Sequence, residues 1–374
     1  MNIAAIKASL KGLNEDYILL EAETASEGIR LARREKPALI LLDIRLPDMD
    51  GFELAKTLKA AKQTKYIPII YISGLDDMDS KLTAFTTGGV DYITKPFHRQ
   101  EVMARVNTQL KIHRLQNNLA TRNREIQESI GYAKQIQEAL MPSESQLKED
   151  LGQYFIFFQP KDILSGDMYW AREYHGDVLI ACIDCTGHGI PGALISLVGH
   201  NLLNQATGLE KNLSPAEILQ EVDRKLIETL NQSGVEGKNQ DGMDIALCRI
   251  SKKKSKLVFA GAYRPMYLVR NGVCDEWKGD KQPVGGTQVK KKVFTNQEIS
   301  LKKGDMVYLL TDGFTDQFGS EEDKKFSGKR LRKLLAEIGD KSVKEQKKIL
   351  QQTFQDWASG HEQVDDVLLI GLSF

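Results

Sequence analysis

Four aspartate motifs stand in order along the chain: Ser165-Gly-Asp167, Asp184-Cys-Thr-Gly-His-Gly189, Thr311-Asp-Gly313 and the pair Asp365-Asp366. Each abuts a segment that reads as a β-strand. A hard divalent cation takes several oxygen ligands, and carboxylates at strand ends can converge on it from a rigid sheet. Glycine inside three of the motifs permits the tight turns that aim a side chain, or a peptide carbonyl, at an ion. No His/Cys cluster competes for zinc, so magnesium or manganese suits these oxygens better. One Asp-Gly pair alone reads equally well as an ordinary turn. The ordered set of four is what points to metal chemistry.

Two further features lie in this stretch. His188, in a Gly-His-Gly turn, is a candidate proton donor or a structural residue. Cys182-x-x-Cys185 reads as half a zinc site, a redox pair or buried thiols. Asp184 lies inside it, and the other two cysteines, Cys248 and Cys274, form no second such pair, which favours buried thiols in a reducing compartment.

A second constellation precedes these. Asp43, Ser73 and Lys95 each close or follow an apolar run. A carboxylate, a hydroxyl and an ammonium at successive strand ends can hold a phosphoryl group, the carboxylate as acceptor and the others on its oxygens.

The elements that position these residues fall into three textures. Residues 3–13 and 25–35 have helical spacing, and 17–21 reads as a short strand. Continuous apolar runs at 38–42 and 67–72, with a further strand at 91–94, are what a parallel sheet covered on both faces produces. A closing helix spans 101–113. Apolar residues then recur every seven, at Ile112, Leu119, Ile126, Ala133 and Leu140, with a poorer companion track of Leu115 and Ile136. This predicts one long helix, either with a weak coiled-coil seam or lying along a domain surface. Past Pro142 come strands at 154–158, 178–183, 243–250, 256–260, 266–270, 306–310 and 364–372. Helical stretches at 193–205, 215–230 and 331–357 make a layered α+β domain. The runs Lys252-Lys-Lys254 and Lys290-Lys-Lys292 read as solvated turns or edge protection.

A chain of 374 residues holds two or three domains, and 41% apolar with 27% charged residues is a globular composition. A formal charge of +0 gives nucleic acid and anionic membranes no global attraction. No apolar run approaches the roughly 18 residues of a membrane span, and the N-terminus lacks a secretory pattern, so a cytoplasmic protein with no membrane partner is expected. Gly234-Val-Glu-Gly-Lys-Asn is not a phosphate-binding loop.

Residues from about 155 to 374 resemble the SpoIIE-type branch of the metal-dependent (type 2C) serine/threonine protein phosphatases. The strings Leu164-Ser-Gly-Asp-Met-Tyr169, Ile183-Asp-Cys-Thr-Gly-His-Gly189, Ala260-Gly-Ala-Tyr-Arg-Pro265, Pro283-Val-Gly-Gly286, Leu310-Thr-Asp-Gly-Phe-Thr-Asp316 and Asp365-Asp-Val-Leu-Leu369 carry it in family order. The resemblance implies a β-sandwich flanked by helices and two Mn2+ or Mg2+ ions bridged by Asp184. Asp312 and Asp365 would complete one metal's shell, and Asp167 with the Cys185 carbonyl would hold the second. Asp366 is a weaker ligand candidate, and Trp170 stands where the family often has another acid.

Residues 1 to about 115 resemble the receiver domains of bacterial response regulators, through Leu41-Leu-Asp-Ile-Arg-Leu-Pro-Asp-Met-Asp-Gly51, Ser73 and Lys95-Pro96. The resemblance implies Asp43 as phosphoacceptor, Ser73 as switch hydroxyl, Tyr92 as rotating aromatic, Lys95 as phosphate partner, a cis Pro96, and a carbonyl from Arg45 to magnesium. A receiver's first strand and its magnesium-binding acidic pair are absent, so either the true start lies upstream of Met1 or the receiver is degenerate. Magnesium binding there is expected only if that pair is supplied.

The expected architecture is therefore a doubly wound α/β receiver at 1–112, a helical linker at 113–145 and an α+β phosphatase domain at 146–374. The expected function is two-metal hydrolysis of phosphoserine or phosphothreonine on a regulatory protein, anti-sigma-antagonist-like by resemblance, under a sensor histidine kinase and with a homodimer formed through the linker. The rival is a catalytically weak pseudophosphatase that acts as a regulated binding module. The mixed-charge linker disfavours a DNA-binding output.

Overall fold

The computed structural model describes residues 3–10, 17–74, 78–208, 211–232, 240–251, 253, 255–287, 291–319 and 324–374. The chain forms two compact units, Met1–Gln127 and Glu128–Phe374. Gly234-Val-Glu-Gly-Lys-Asn, Lys252, Lys254 and Lys290 lie outside the described residues. No helix among the described residues is long and apolar enough to cross a membrane.

In the first unit three parallel strands, Ile40–Asp43, Ile69–Ser73 and Asp91–Thr94, lie side by side in that order. Their alternating residues feed two cores. Leu42, Tyr71 and Tyr92 pack with Leu54 and Leu58 on one face, while Ile70, Ile72 and Ile93 pack with Ile6, Val102 and Val106 on the other. Both faces are covered, as a doubly wound sheet requires. The strand expected at 17–21 does not form: these residues are exposed and unpaired. A cavity of about 230 Å³ separates Ile18–Leu20 from Ile40–Leu42, and both segments line it. Extended chain becomes a strand only against a neighbouring backbone, and among the described residues none pairs with this segment.

The closing helix and the linker helix are one element, Arg99–Leu140, of 42 residues. No proline interrupts it, and Gly131 is absorbed within it. Ser143 then caps a short helix, Glu144–Leu151, by accepting the Gln146 N–H.

The second unit is a sandwich of two antiparallel sheets. One has the order Val273–Trp277, Met266–Arg270, Met306–Leu310, Val367–Ser373, Tyr154–Gln159. The other runs Gln297–Ser300, Lys256–Ala262, Gly242–Ile250, Asp177–Cys185, Met168–Tyr174. Between them lie Ile180, Cys182, Ala246, Cys248, Val307, Leu309, Leu368 and Ile370. The outer face of the second sheet is covered by helices Gly189–Thr207 and Pro215–Thr229, that of the first by Gly328–Ile338 and Val343–Ala358. The stretch expected to be largely helical at 331–357 is two helices: the first ends before Gly339, and Ser342 starts the second with a capping box to Glu345.

Lys292, expected in a solvated run, is buried and pairs with Asp223 at 2.7 Å.

Candidate active site

The period of two that builds the sandwich also places the acids. Ile180 and Cys182 face the opposing sheet, so Asp184 follows on the same face where the strand leaves the core. Its direct cross-strand partner is Asp244, which continues the inward row of Cys248 and Ala246. From the other sheet, Met306–Leu310 delivers Thr311 and Asp312, and Asp365-Asp366 leads into Val367–Ser373. Asp184, Asp244, Asp312 and Asp365 line one cleft of about 230 Å³, together with Cys185, His188 and Arg264.

Close backbone contacts allow this convergence. A Cβ on Gly313 would lie 1.9 Å from the Asp366 carbonyl oxygen, so glycine alone lets the two strand ends meet. A Cβ on Gly166 would lie 2.4 Å from the Gly187 oxygen, and Gly187 itself has φ of 83°. The loop before Asp167 is thereby pressed against the Cys185–Gly187 turn.

Asp167 is buried, and its Oδ2 accepts the Thr311 hydroxyl at 2.6 Å. Asp366 is also buried, but its carboxylate oxygens accept the N–H groups of Lys161 and Gly166, both at 2.8 Å. The sequence offers it as a weaker metal ligand, and these bonds also brace the loop that carries Asp167. Trp170, where an acid was looked for, points into the apolar core, and its indole N–H reaches Asn204 Oδ1 at 3.0 Å. The thiols of Cys182, Cys185 and Cys248 are buried and free, burial pushes all three up, and Cys182 and Cys185 sit in different core clusters, as the buried-thiol reading expects.

The electrostatics are those of crowded carboxylates. Burial, then Asp312, Asp244 and Asp365, push Asp184 up to about 8 although Arg264 opposes them. Burial and the Asp184 charge raise Asp167, and burial also raises Asp244 and Asp365. Arg264 Nη2 donates to Asp244 at 2.8 Å and to Asp312 at 2.7 Å. Among the described residues no three acidic, histidine or cysteine groups are drawn close enough to hold a metal ion as they stand. The donor chemistry nonetheless fits a hard dication: oxygen ligands only, with more negative charge than one guanidinium offsets. His188 Nδ1 lies 2.6 Å from Asp162 Oδ2, and Lys161 Nζ lies 3.1 Å from its Nε2. Sequence reasoning missed Asp244, Arg264 and Asp162. The Asp241-Gly-Met-Asp244 string carried an Asp-Gly strand-end signal like that of Thr311-Asp-Gly313, and Arg264 lay inside the Ala260-Gly-Ala-Tyr-Arg-Pro265 string; Asp162 had no such signal.

In the first unit Asp43 ends its strand, and Lys95 Nζ lies 2.6 Å from its Oδ2. The Arg45 N–H points at Asp43 Oδ1 at 3.3 Å. Ser73 closes the next strand and is buried, the Lys95–Pro96 bond is cis, and the Tyr92 ring is packed inward in the core. A Cβ on Gly51 would meet the Asp43 carbonyl oxygen at 2.4 Å, which explains the glycine after Asp-Met-Asp.

Residues 174–374 match the family described as Stage II sporulation protein E (SpoIIE), and residues 1–107 match the response regulator receiver domain. The SiaA-PP2C domain of Pseudomonas aeruginosa superposes with a TM-score of 0.62 at 31% identity, covering 68% of this chain and 99% of that one. The transcriptional regulatory protein HprR of Escherichia coli (strain K12) is 39% identical over 108 residues, 29% of this chain and 47% of that protein. The cell cycle transcriptional regulator CtrA of Caulobacter vibrioides is 38% identical over 94 residues, 25% of this chain and 40% of that protein. The chain thus spans less than half the length of these two regulators, and the shared part is the receiver. A receiver domain at the front and a type 2C fold with its acidic cleft behind it leave one conclusion: the chain belongs to the SpoIIE family of serine/threonine protein phosphatases and carries a response-regulator receiver domain.

Proposed function

We propose that this phosphatase hydrolyses phosphoserine or phosphothreonine on a regulatory protein by metal-assisted attack of water. The observation that carries the reading is the convergence of Asp184, Asp312 and Asp365 on one cleft from both sheets. Phosphatases of this family generally depend on Mn2+ or Mg2+. Two such ions would lower the pKa of a shared water and offset charge on the phosphoryl oxygens. Asp184 is assigned as the bridging carboxylate, Asp312 and Asp365 to one ion, and Asp167 with the Cys185 carbonyl to the other. Asp366 and Thr311 orient Asp167 and its loop. His188, whose Nδ1 is paired with Asp162 and whose Nε2 faces Lys161 Nζ, is either the proton donor to the departing serine or threonine oxygen or a structural residue of the turn.

The receiver controls this activity in the same reading. Asp43 is the phosphoacceptor for a sensor histidine kinase, with Lys95 and Ser73 on the phosphoryl oxygens, Tyr92 as the aromatic that responds, and the Arg45 carbonyl on magnesium. The exposed Ile112, Leu119, Ile126 and Leu140 of the long helix support a homodimer. The boundaries proposed are 1–112, 113–145 and 146–374, and the setting is the cytoplasm. The substrate class is a small anti-sigma-antagonist-like protein.

Manganese-dependent phosphate release from a phosphoserine protein tests the reading. Asp184→Asn and Asp312→Asn are expected to abolish it; undiminished release in both would overturn the assignment.

A further inference from the structure

The side chain of Arg264 stands where the acids of the cleft converge. Its Nη2 donates to Asp312 Oδ2 at 2.7 Å and Asp244 Oδ2 at 2.8 Å, and lies 3.6 Å from Asp184 Oδ2. Nε also reaches Asp244 Oδ2, at 3.2 Å. Two of these three partners are residues assigned above to metal, so one cation already fills the space between them.

The backbone beneath this side chain is fixed. A Cβ on Gly261 would lie 2.5 Å from the Arg264 carbonyl oxygen, and one on Gly279 would lie 2.8 Å from it. Tyr263, just before, is held at φ of 57°, and its N–H donates to the Asp280 carbonyl at 2.8 Å. The Asp280 N–H in turn donates to Gly261. A left-handed residue so tightly bound does not relax. What remains free is rotation of the arginine's own side chain, a long arm on a rigid base.

We propose that Arg264 is a built-in counter-cation that competes with metal, so that loading the cleft requires its guanidinium to leave Asp312 and Asp184. The proposal rests on the metal assignment above. Asp184 and Asp244 are directly opposed across strands, where like charges repel, and Asp312 adds a third. Arg264, bonded to Asp244 on one sheet and to Asp312 at the end of the other, supplies the opposing charge and ties the two sheet ends together. A dication must trade its own ligation against those charge-assisted hydrogen bonds. Apparent metal affinity is then reduced by the fraction of molecules in which the arginine still occupies the acids.

Titration calorimetry of the full chain with MnCl2 tests this, comparing wild type with Arg264→Gln, Arg264→Lys and Asp312→Asn. Arg264→Gln is expected to bind Mn2+ about tenfold tighter or more, with Arg264→Lys in between. In EDTA the Gln variant should melt below wild type, and the rise in its melting temperature on adding Mn2+ should be larger. Loss of a merely structural arginine would move affinity the other way. Equal or weaker Mn2+ binding by a folded Arg264→Gln protein overturns the proposal. If that variant does not fold, the wild type decides: its Arg264 Nε–H resonance, assigned through Arg264→Lys, must shift on saturation with MgCl2, and an unmoved resonance overturns the proposal. If wild type, both arginine variants and Asp312→Asn are all silent in calorimetry, the metal assignment itself has failed and takes the proposal with it.

Discussion

The side-chain amide of Gln137 grips the backbone of Ser165 from both sides: Nε2 donates to the Ser165 carbonyl at 2.6 Å, and Oε1 accepts its N–H at 3.2 Å. Nε2 also reaches Ser196 Oγ at 3.0 Å, in the helix Gly189–Thr207. Ser165 Oγ then accepts the Asp167 N–H at 3.1 Å. The last turns of the long helix are thus tied, through one buried glutamine, to the loop that presents Asp167.

Replacing that glutamine should loosen the loop. In Gln137→Ala the Ser165 N–H and carbonyl lose their partner while still buried, a cost of roughly 1–3 kcal/mol. The melting temperature is expected to fall by several degrees, and the Mn2+ concentration for half-maximal phosphate release to rise. Melting curves and a metal titration of activity check both. A variant that is destabilised but keeps wild-type metal dependence would show the clamp to be packing alone.

His188 is separable from the metal site by leaving group. A proton donor matters when the departing oxygen is a poor leaving group and little when it is a good one. His188→Gln should lower kcat on a phosphoserine peptide about a hundredfold and leave p-nitrophenyl phosphate turnover nearly unchanged. Asp162→Asn, which removes the partner of Nδ1, should move in the same direction by less. Equal losses on the two substrates would assign His188 to shaping the turn.

How far the sequence foretold this site depends on how local each cause is. Asp184 was legible because a continuous apolar run, Val178-Leu-Ile-Ala-Cys-Ile183, leads into it and glycines follow it. Asp43 was legible for the same kind of reason, and the glycine at 51 marked its close turn. Asp244 carried a similar signal but was absorbed into the reading of its strand. Gln137 gave none, and Arg264 only its place in the Ala260–Pro265 string, since each acts on groups far away in sequence: Gln137 on residues 28 and 59 positions away, Arg264 on residues 20 and 48 away. The segment 17–21 fails in the opposite way. Its composition suits a strand, yet pairing is supplied by a neighbour, and no described backbone lies beside it.

Lys292 illustrates a charge whose setting composition conceals. It is enclosed with Asp223, and Nζ also donates to the carbonyls of Gly285 and Gly286, while the Gly285 N–H donates to Asp223. Lys292→Ala leaves that carboxylate buried and half-satisfied, which should cost about 3–5 kcal/mol. The double change Lys292→Met with Asp223→Asn should cost less than the two single changes summed. Urea denaturation of the four proteins measures the coupling, and strict additivity would mean the pair does not interact.

Asp305 gives the fold a dependence on acid. Burial alone would raise it, but Arg270, at 2.8 and 2.6 Å, and the Lys302 N–H hold it below the usual carboxylate range. A lowered pKa in the folded state stabilises above the unfolded value, near 4, and the gain is lost as pH falls through the folded value. Asp305→Asn should therefore be less stable than wild type at pH 7, by about 1–3 kcal/mol. The gap should narrow as pH falls below about 4. Chemical denaturation across pH 3–7 checks the sign; a gap that stays constant would exclude the carboxylate's charge as its source.

The long helix makes the last and most exposed claim. Ile112, Leu119, Ile126, Ala133 and Leu140 repeat every seven residues, and all but the half-buried Ala133 are exposed, while Arg122 and Ser129 interrupt the companion track. An isolated helix of this length gains little from propensity alone and is stabilised mainly by an apolar face packed against a partner. If that partner is a second copy, Leu119→Lys with Ile126→Lys places like charges at the centre of the seam and should convert a dimer to a monomer. Light scattering on the full chain reads this directly. Because Ile126 and Leu119 precede Gln137 by about three and five turns of the same helix, the clamp on Ser165 should survive, and basal phosphate release should change less than the response to receiver phosphorylation. A wild type that is monomeric at micromolar concentration would end the seam reading and leave these residues as an exposed face of the linker.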